Sequence, residues 1–379
     1  MHDRRSGLCE DIKLFLSLWK VFAADFINPP KKTTFAILVM NKILECIPNF
    51  SEGSDPAVIA AIAAAISAVP GVALLHTDAS VAANRTVITF AGAPEAVVEA
   101  AFRVIAQAAS SIDMRLQAGV HPRIGATDVC PLVPLQGMSM EEADQYAQQL
   151  AARVGAELQV PVFLYEYSQS RTYRRALPDI RKGQYEGLAA RMQQPEWAPD
   201  FGPHTGHLTA GATVIGARKI LVAFNISLDT DDVQKAQRIA QRLRASGYAE
   251  TVDGEKRRVP GLLPLVRAIG WYMADYRQAQ VSFNLLDYTQ TSVLQVWHTC
   301  ELVAAEEGVS LLGSEVIGLI PEQCLLEVGM ECLSQQDSTA TGKEQLVRAA
   351  IDYLGLDRLK PFDPAEKVLE YALAAKGLL

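Results

Sequence analysis

The chain is short of several residue types, and each shortage removes a class of protein. Only six cysteines occur in 379 residues, at Cys9, Cys46, Cys130, Cys300, Cys324 and Cys332. No two form a C-x-x-C pair and their spacings match no zinc pattern, so they read as reduced core thiols of a cytoplasmic protein rather than disulfide staples or metal ligands. Positive charge is in deficit: 35 Lys and Arg against 43 Asp and Glu leave a net charge of −8. That balance argues against nucleic acid as a partner, because phosphate binding wants a basic face. Long apolar runs are missing too. The nearest candidate lies within residues 1–39 and is interrupted by Lys20; it fits neither a signal peptide nor a membrane span, and no membrane association is expected. There is no nucleophile elbow, Walker loop or dinucleotide fingerprint.

Apolar residues make up 49% of the chain and charged residues 21%, with both signs interspersed. This is the composition of a folded protein with a sizeable core, and the length suits two domains. Residues 1–39 carry Pro29-Pro30 and Lys31-Lys32 and do not match the remainder of the chain. They are expected to be an extension, disordered or arising from a mis-assigned start, ahead of a natural beginning at Met40. The expected domains are 40–218 and 219–379.

From Met40 the patterning becomes regular. Strands are expected over 42–50, 72–79, 85–92, 127–135 and 160–167. Between them lie a helix capped by Ser54 or Asp55 with Pro56 in its first turn, a helix over 94–112 with the stripe Val98, Phe102 and Ile105, and a helix opened by the capping box Ser139-x-x-Glu142. The order β-α-β-β-α-β, followed by one more α-β, is the split βαβ unit. The second half repeats it: strands over 219–228, 266–273, 279–287 and 311–320, a helix capped within 229–231, and a helix over 291–308. The expected fold class is α+β: tandem ferredoxin-like subdomains with helices on the outer faces and a ligand groove between the two sheets. Helices over 343–354 and within 361–373 form an appendage on the second unit. The Arg-, Pro- and Gly-rich stretch 168–218 is too long for a plain connector and suits a loop lining a cleft.

Histidine is scarce, with six in the chain, so its settings are informative. His121 stands in "AGVHPRIGATDVCP" (118–131), held out of helix by Pro122 and placed just before a strand. A second cluster, "HTDASVAANRTV" (76–87), joins two strands. Asp78, Arg85, His121 and Arg123 are therefore expected to share one rim. The plain alternatives are a hydrogen-bonded structural histidine, turn chemistry for Asp78 and Asn84, and a surface ion pair for Arg85. His204 and His207 have H-x-x-H spacing but no acidic or cysteine partner nearby, so no metal is expected.

Seven ordered segments carry a resemblance: "ECIPNFSEG" (45–53), "NRTVITFAG" (84–92), "HPRIGATDVCPLVP" (121–134), "EWAPDFGP" (196–203), "GARKILVAFNISL" (216–228), "IGWY" (269–272) and "AQVSFNLLD" (279–287). Together they resemble the formiminotransferase domain of the formiminotransferase-cyclodeaminase family, from Met40 to the C-terminal helices. The chain stops where the cyclodeaminase domain would begin, so a stand-alone transferase is implied. The resemblance implies a transferase that moves the formimino group from N-formimino-L-glutamate to nitrogen-5 of tetrahydrofolate, in histidine degradation. It further implies tetrahydrofolate as co-substrate, a homodimer and the tandem ferredoxin-like fold. His121 falls in the family's H-P-R motif, at its catalytic histidine. The folate-contacting loop maps to Gly202, Pro203, His204, Thr205, Gly206, His207, Leu208, Thr209, Ala210 and Gly211, where "HTGHLTA" replaces a more apolar run. By position, Asp78 is the candidate to face the amidinium, with Asp128 behind it. Arg85, Arg123 and Asn84 are the candidates to hold the carboxylates of the donor. Two other functions fit the same pocket: salvage of 5-formyltetrahydrofolate, and folate sensing without catalysis.

Overall fold

The computed structural model describes residues 42–252, 254–335 and 342–379. The expected extension over 1–39, and Cys9 within it, lie outside the described residues.

The strand expected over 42–50 is present as two pieces, β1 (Leu44–Cys46) and β2 (Asn49–Phe50). The break falls at Ile47-Pro48, since proline has no N–H to give a ladder. Helix α1 (Pro56–Ser67) starts at Asp55, whose carboxylate accepts from the Ala57 and Val58 backbone N–H groups, with Pro56 in the first turn. Strands β3 (Val72–Ser80) and β4 (Arg85–Gly92) form a hairpin. Helix α2 (Pro94–Ser111) buries Val97, Ala101, Val104 and Ala108, with Ile105 beside them. Val98 and Phe102 lie at the margin of that stripe, where the Arg153 guanidinium covers the Phe102 ring at 3.7 Å. Strand β5 (Thr127–Pro134) follows, then α3 (Met140–Glu157) with the complete Ser139–Glu142 capping box. Beyond it are β6 (Val162–Leu164), α4 (Leu177–Ile180), α5 (Gln184–Arg191) and β7 (Thr213–Ala217).

These strands make one sheet. β1 and β2 together lie between β4 and β5, β3 flanks β4, and β7 and β6 extend the other side. The pairs β5–β7 and β6–β7 are parallel and the rest antiparallel. The second sheet is antiparallel in the order β11 (Val266–Met273), β12 (Gln278–Leu285), β8 (Val222–Leu228), β13 (Leu311–Ile317). Its helices are α6 (Val233–Leu243), capped by Asp232 rather than by 229–231, and α7 (Val293–Glu306). A separate hairpin of β9 (Tyr248–Val252) and β10 (Glu255–Val259) interrupts this half. The chain ends in α8 (Glu322–Gln335), α9 (Lys343–Leu354), α10 (Pro364–Lys367) and α11 (Leu369–Ala375).

The protein is thus a mixed α+β chain in which each half buries one face of its sheet under helices. Alternation along the strands decides what faces where. Leu44 and Cys46 enter the first core while Glu45, Ile47 and Asn49 face away from it; in β8, Phe224 and Ile226 enter the second core while Ala223 and Asn225 face away. The outward residues of both sheets line one cavity. The five cysteines among the described residues are free and buried.

Candidate active site

The cavity between the sheets holds about 1470 Å³ of empty space, with the solvent at its open mouth included. Its walls come from β1, β2, β3, β4 and β5 on one side and from β8, β11, β12 and β13 on the other. His121 stands at this wall, with the Trp271 ring of the second sheet 6.1 Å away between centroids.

Two glycines fix the segment that carries the imidazole. A side-chain carbon on Gly119 would lie 2.6 Å from the Ala83 carbonyl oxygen, and one on Gly125 would lie 2.0 Å from that of Ala212. Only glycine lets this loop lie so close to the β3–β4 turn on one side and to the chain entering β7 on the other. The imidazole Nδ1 is 2.9 Å from the Pro122 carbonyl oxygen. A carbonyl only accepts, so Nδ1 carries the proton and Nε2 keeps its lone pair. Withdrawal from water, then the positive charges of Arg85 and Arg181, push the imidazole pKa well below its ordinary value; Asp128 and the Pro122 carbonyl oppose this less strongly. The ring is neutral at neutral pH, and Nε2 carries no proton.

Behind it lies a buried charge triad. Asp128 is fully buried and pairs with Arg85 at 2.9 Å and with Arg181. Its other oxygen accepts from the Ile124 backbone N–H at 2.9 Å, which ties the triad to the His121 segment. Burial opposes ionisation of Asp128, but the two guanidiniums outweigh it and hold the carboxyl down at about 2. Arg85 also donates to the Asn49 side-chain oxygen at 3.0 Å.

Asp78 lines the same cavity, but its carboxylate is already engaged. It accepts from the Gly318 backbone N–H at 3.1 Å and from Lys367 Nζ at 3.1 Å. Lys367 also donates to His76 Nε2 at 3.0 Å and to the Val316 carbonyl at 3.2 Å. Burial would raise the Asp78 pKa, but His76, Lys367 and the Gly318 N–H together pull it well below the usual carboxylate range. The cluster latches β3 of the first sheet to the end of β13 in the second.

Of the four residues expected on one rim, Asp78, Arg85 and His121 do line one cavity and Arg123 does not; nor does Asn84, another residue expected to hold the donor. Arg123 turns away and forms a two-pronged pair with Glu186 at 2.7 and 2.9 Å, while donating to the Gln117 carbonyl at 2.8 Å. Asn84 sits in the β3–β4 turn at φ +46°. It accepts from the Gly53 N–H at 3.0 Å and donates to the Ala118 carbonyl at 2.9 Å. None of Gly202–Gly211 lines the cavity. The base of that loop is nonetheless bonded to the His121 segment: the Ala126 N–H donates to the Ala210 carbonyl at 2.9 Å, and the Ala212 N–H to the Ile124 carbonyl at 3.0 Å. His204 and His207 make no metal cluster, and among the described residues no group of three or more His, Cys, Asp or Glu side chains is arranged to hold a metal ion. Nor is any described helix long and apolar enough to cross a membrane.

Residue-by-residue reading overlooked Glu45, Arg181, Arg218, Arg267, Trp271 and Lys367, all but the last of which line the cavity. Arg181 had one signal, its place in the Arg-rich stretch 168–218. Glu45 had another, a carboxylate between two apolar residues of a strand.

The fold and cavity are those of a two-sheet α+β protein with one neutral imidazole at the cavity wall. Comparison with known proteins then assigns the family. Residues 43–218 match the formiminotransferase domain, N-terminal subdomain, and residues 223–374 match the formiminotransferase domain. The formimidoyltransferase-cyclodeaminase of Rattus norvegicus is 43% identical over 89% of this chain and 61% of its own length. The glutamate formimidoyltransferase of Streptococcus pyogenes serotype M1 is 41% identical over 79% of this chain and 95% of its own length. That of Thermoplasma acidophilum is 39% identical over 76% and 90%. The chain belongs to the formiminotransferase family. It spans about three-fifths of the cyclodeaminase-bearing animal relatives and nearly the whole of the two microbial ones.

Proposed function

We propose that this chain is a glutamate formimidoyltransferase, moving the formimino group of N-formimino-L-glutamate to nitrogen-5 of tetrahydrofolate and releasing L-glutamate. The observation that carries the reading is the neutral His121 imidazole, its Nδ1 committed to the Pro122 carbonyl, at the wall of a cavity shared by both sheets. Each sheet places its strands in the order fourth, first, third, second, which supports a tandem of ferredoxin-like units over 40–218 and 219–379 with the cavity as their ligand groove.

Nitrogen-5 attacks the formimino carbon and a tetrahedral adduct forms. His121 Nε2 takes the nitrogen-5 proton and then gives it to the glutamate nitrogen, which leaves with the electron pair of the broken C–N bond. Acid–base help of this kind is worth about 10²–10⁴-fold, and holding two substrates in one groove supplies much of the rest. Arg85 is the arginine we place against a donor carboxylate. Arg123 and Asn84 we place as supports, since both bond the 117–118 carbonyls just ahead of His121. Asp78 we place as a positioning residue, its charge already met by Lys367. The loop Gly202–Gly211 would meet the part of the folate that extends beyond His121. No metal enters the scheme. We take the working form to be a cytoplasmic homodimer.

The test is transfer to tetrahydrofolate from N-formimino-L-glutamate, measured beside turnover of 5-formyltetrahydrofolate. Formimino transfer that falls at least 100-fold in His121→Ala, with folate binding retained, is expected. Turnover of the formyl compound alone, or unchanged transfer in His121→Ala, would overturn the reading.

A further inference from the structure

Glu45 lines the cavity and is not fully answered by the described residues around it. It lies in β1 between Ala91 of β4 and Val133 of β5 and is 2% exposed. Its Oε2 is buried without a hydrogen-bond partner. Burial pushes its carboxyl up to about 7, with Arg218 pulling the other way and Glu370 adding to the rise. A buried carboxylate without partners is costly, and an apolar residue would suit the strand better. The feature makes sense if the missing partner arrives with the ligand.

We propose that Glu45 is a specificity-determining residue that accepts two parallel N–H bonds from the 2-amino-4-oxopyrimidine edge of the folate; this rests on the transferase reading above. A carboxylate matches a ring N–H beside an exocyclic amino group, two donors held in one plane, and charge-assisted pairs of this kind are the strong ones. The formimino group offers a similar N–C–N edge, but position favours the ring. Glu45 and Asn49 face the cavity four residues apart, about 13 Å along a strand, and Asn49 holds Arg85, one of the charges acting on His121. The formimino carbon must react within reach of His121, so a ligand that also bonds Glu45 has to span the stretch of strand from Asn49 to Glu45. A fused two-ring heterocycle can present nitrogen-5 at one end and its amino edge at the other.

The experiment is calorimetric titration of wild-type protein and Glu45→Gln with tetrahydrofolate, with its 2-desamino-2-methyl analogue, and with N-formimino-L-glutamate. Glutamine keeps the shape but turns one acceptor into a donor. Glu45→Gln is expected to weaken tetrahydrofolate binding about 10- to 100-fold. The analogue should bind both proteins equally, the donor affinity should not change, and the melting temperature without ligand should not fall. Unchanged tetrahydrofolate binding in Glu45→Gln overturns the assignment, as does a loss that falls on the donor instead. Losses from variant and analogue that simply add also overturn it. Should the variant fail to fold, the analogue decides on wild-type protein alone: equal binding with and without the 2-amino group overturns the assignment. A wild-type protein that binds no tetrahydrofolate brings down the transferase reading, and the Glu45 assignment with it.

Discussion

Replacing Asp128 by asparagine tests whether the charge triad is what holds the His121 segment. Asp128 is fully buried, and its partners Arg85 and Arg181 are 7% and 12% exposed. Asparagine still accepts from the Ile124 N–H, so the backbone tie survives while the charge goes. Its amide nitrogen then faces two guanidiniums with nothing to accept from them. Removing one partner of a buried ion pair costs about 3–5 kcal/mol, a large share of the ~5–15 kcal/mol that holds a typical protein folded. Proton linkage supplies a second figure. A carboxyl held at about 2 in the folded state, against ~3.9 unfolded, contributes about 2–3 kcal/mol at neutral pH. That contribution is complete above the unfolded pKa and is lost as the pH falls from about 4 towards 2. The linkage figure is smaller because protonation removes the charge without placing a donor against the arginines. Urea denaturation at pH 7, followed by tryptophan fluorescence, should show a loss of about 3–5 kcal/mol. The acid slope between pH 4 and 2 should flatten in the variant. Because Asp128 props up the imidazole pKa and the arginines depress it, the acid limb of turnover should also move to lower pH. A stability loss under about 1 kcal/mol with an unchanged acid slope would refute the argument.

Three further substitutions probe the frame. Gly125→Ala forces a carbon to within 2.0 Å of the Ala212 backbone oxygen and should cost about 3 kcal/mol, the upper part of the overpacking range, with turnover falling alongside. Gly206→Ala, which meets nothing within 4 Å, should stay within about 0.5 kcal/mol of wild type; thermal denaturation of the two variants would expose the error if they behaved alike. Lys367→Met strands Asp78 with only His76 and the Gly318 N–H as partners and should cost about 1.5–3 kcal/mol, and an unaltered melting temperature would show that the latch carries no stability.

What could be read along the chain was whatever local pattern determines. The β4 and β11 spans and the α9 span agree with expectation residue for residue, because alternation, capping and turn chemistry lie within a few positions of each other. Strand β7 escaped because "TVIGA" is buried on both faces and flanked by two parallel neighbours, which erases the two-residue alternation. The β9–β10 hairpin escaped for the opposite reason, since almost nothing in it is buried. At the site, Gly119, Pro122, Arg123 and Gly125 singled out His121 without separating a structural from a functional ring, and the family resemblance put it at the site; the structure sets it on the cavity wall. Arg123 was misplaced on the rim because its partner, Glu186, lies 63 residues further on. Asp78 was placed at the cavity, but its engagement by Lys367 spans 289 residues, and no local pattern encodes that. Partners so far apart in sequence meet only through the packing of whole elements.

The chain leaves β7 in one sheet and enters β8 in the other after four residues, 218–221, of which Arg218, Ile220 and Leu221 line the cavity. The short crossing that joins the two sheets is therefore itself part of the cavity wall. A substitution at Arg218, Ile220 or Leu221 alters the cavity wall and the passage between the sheets together.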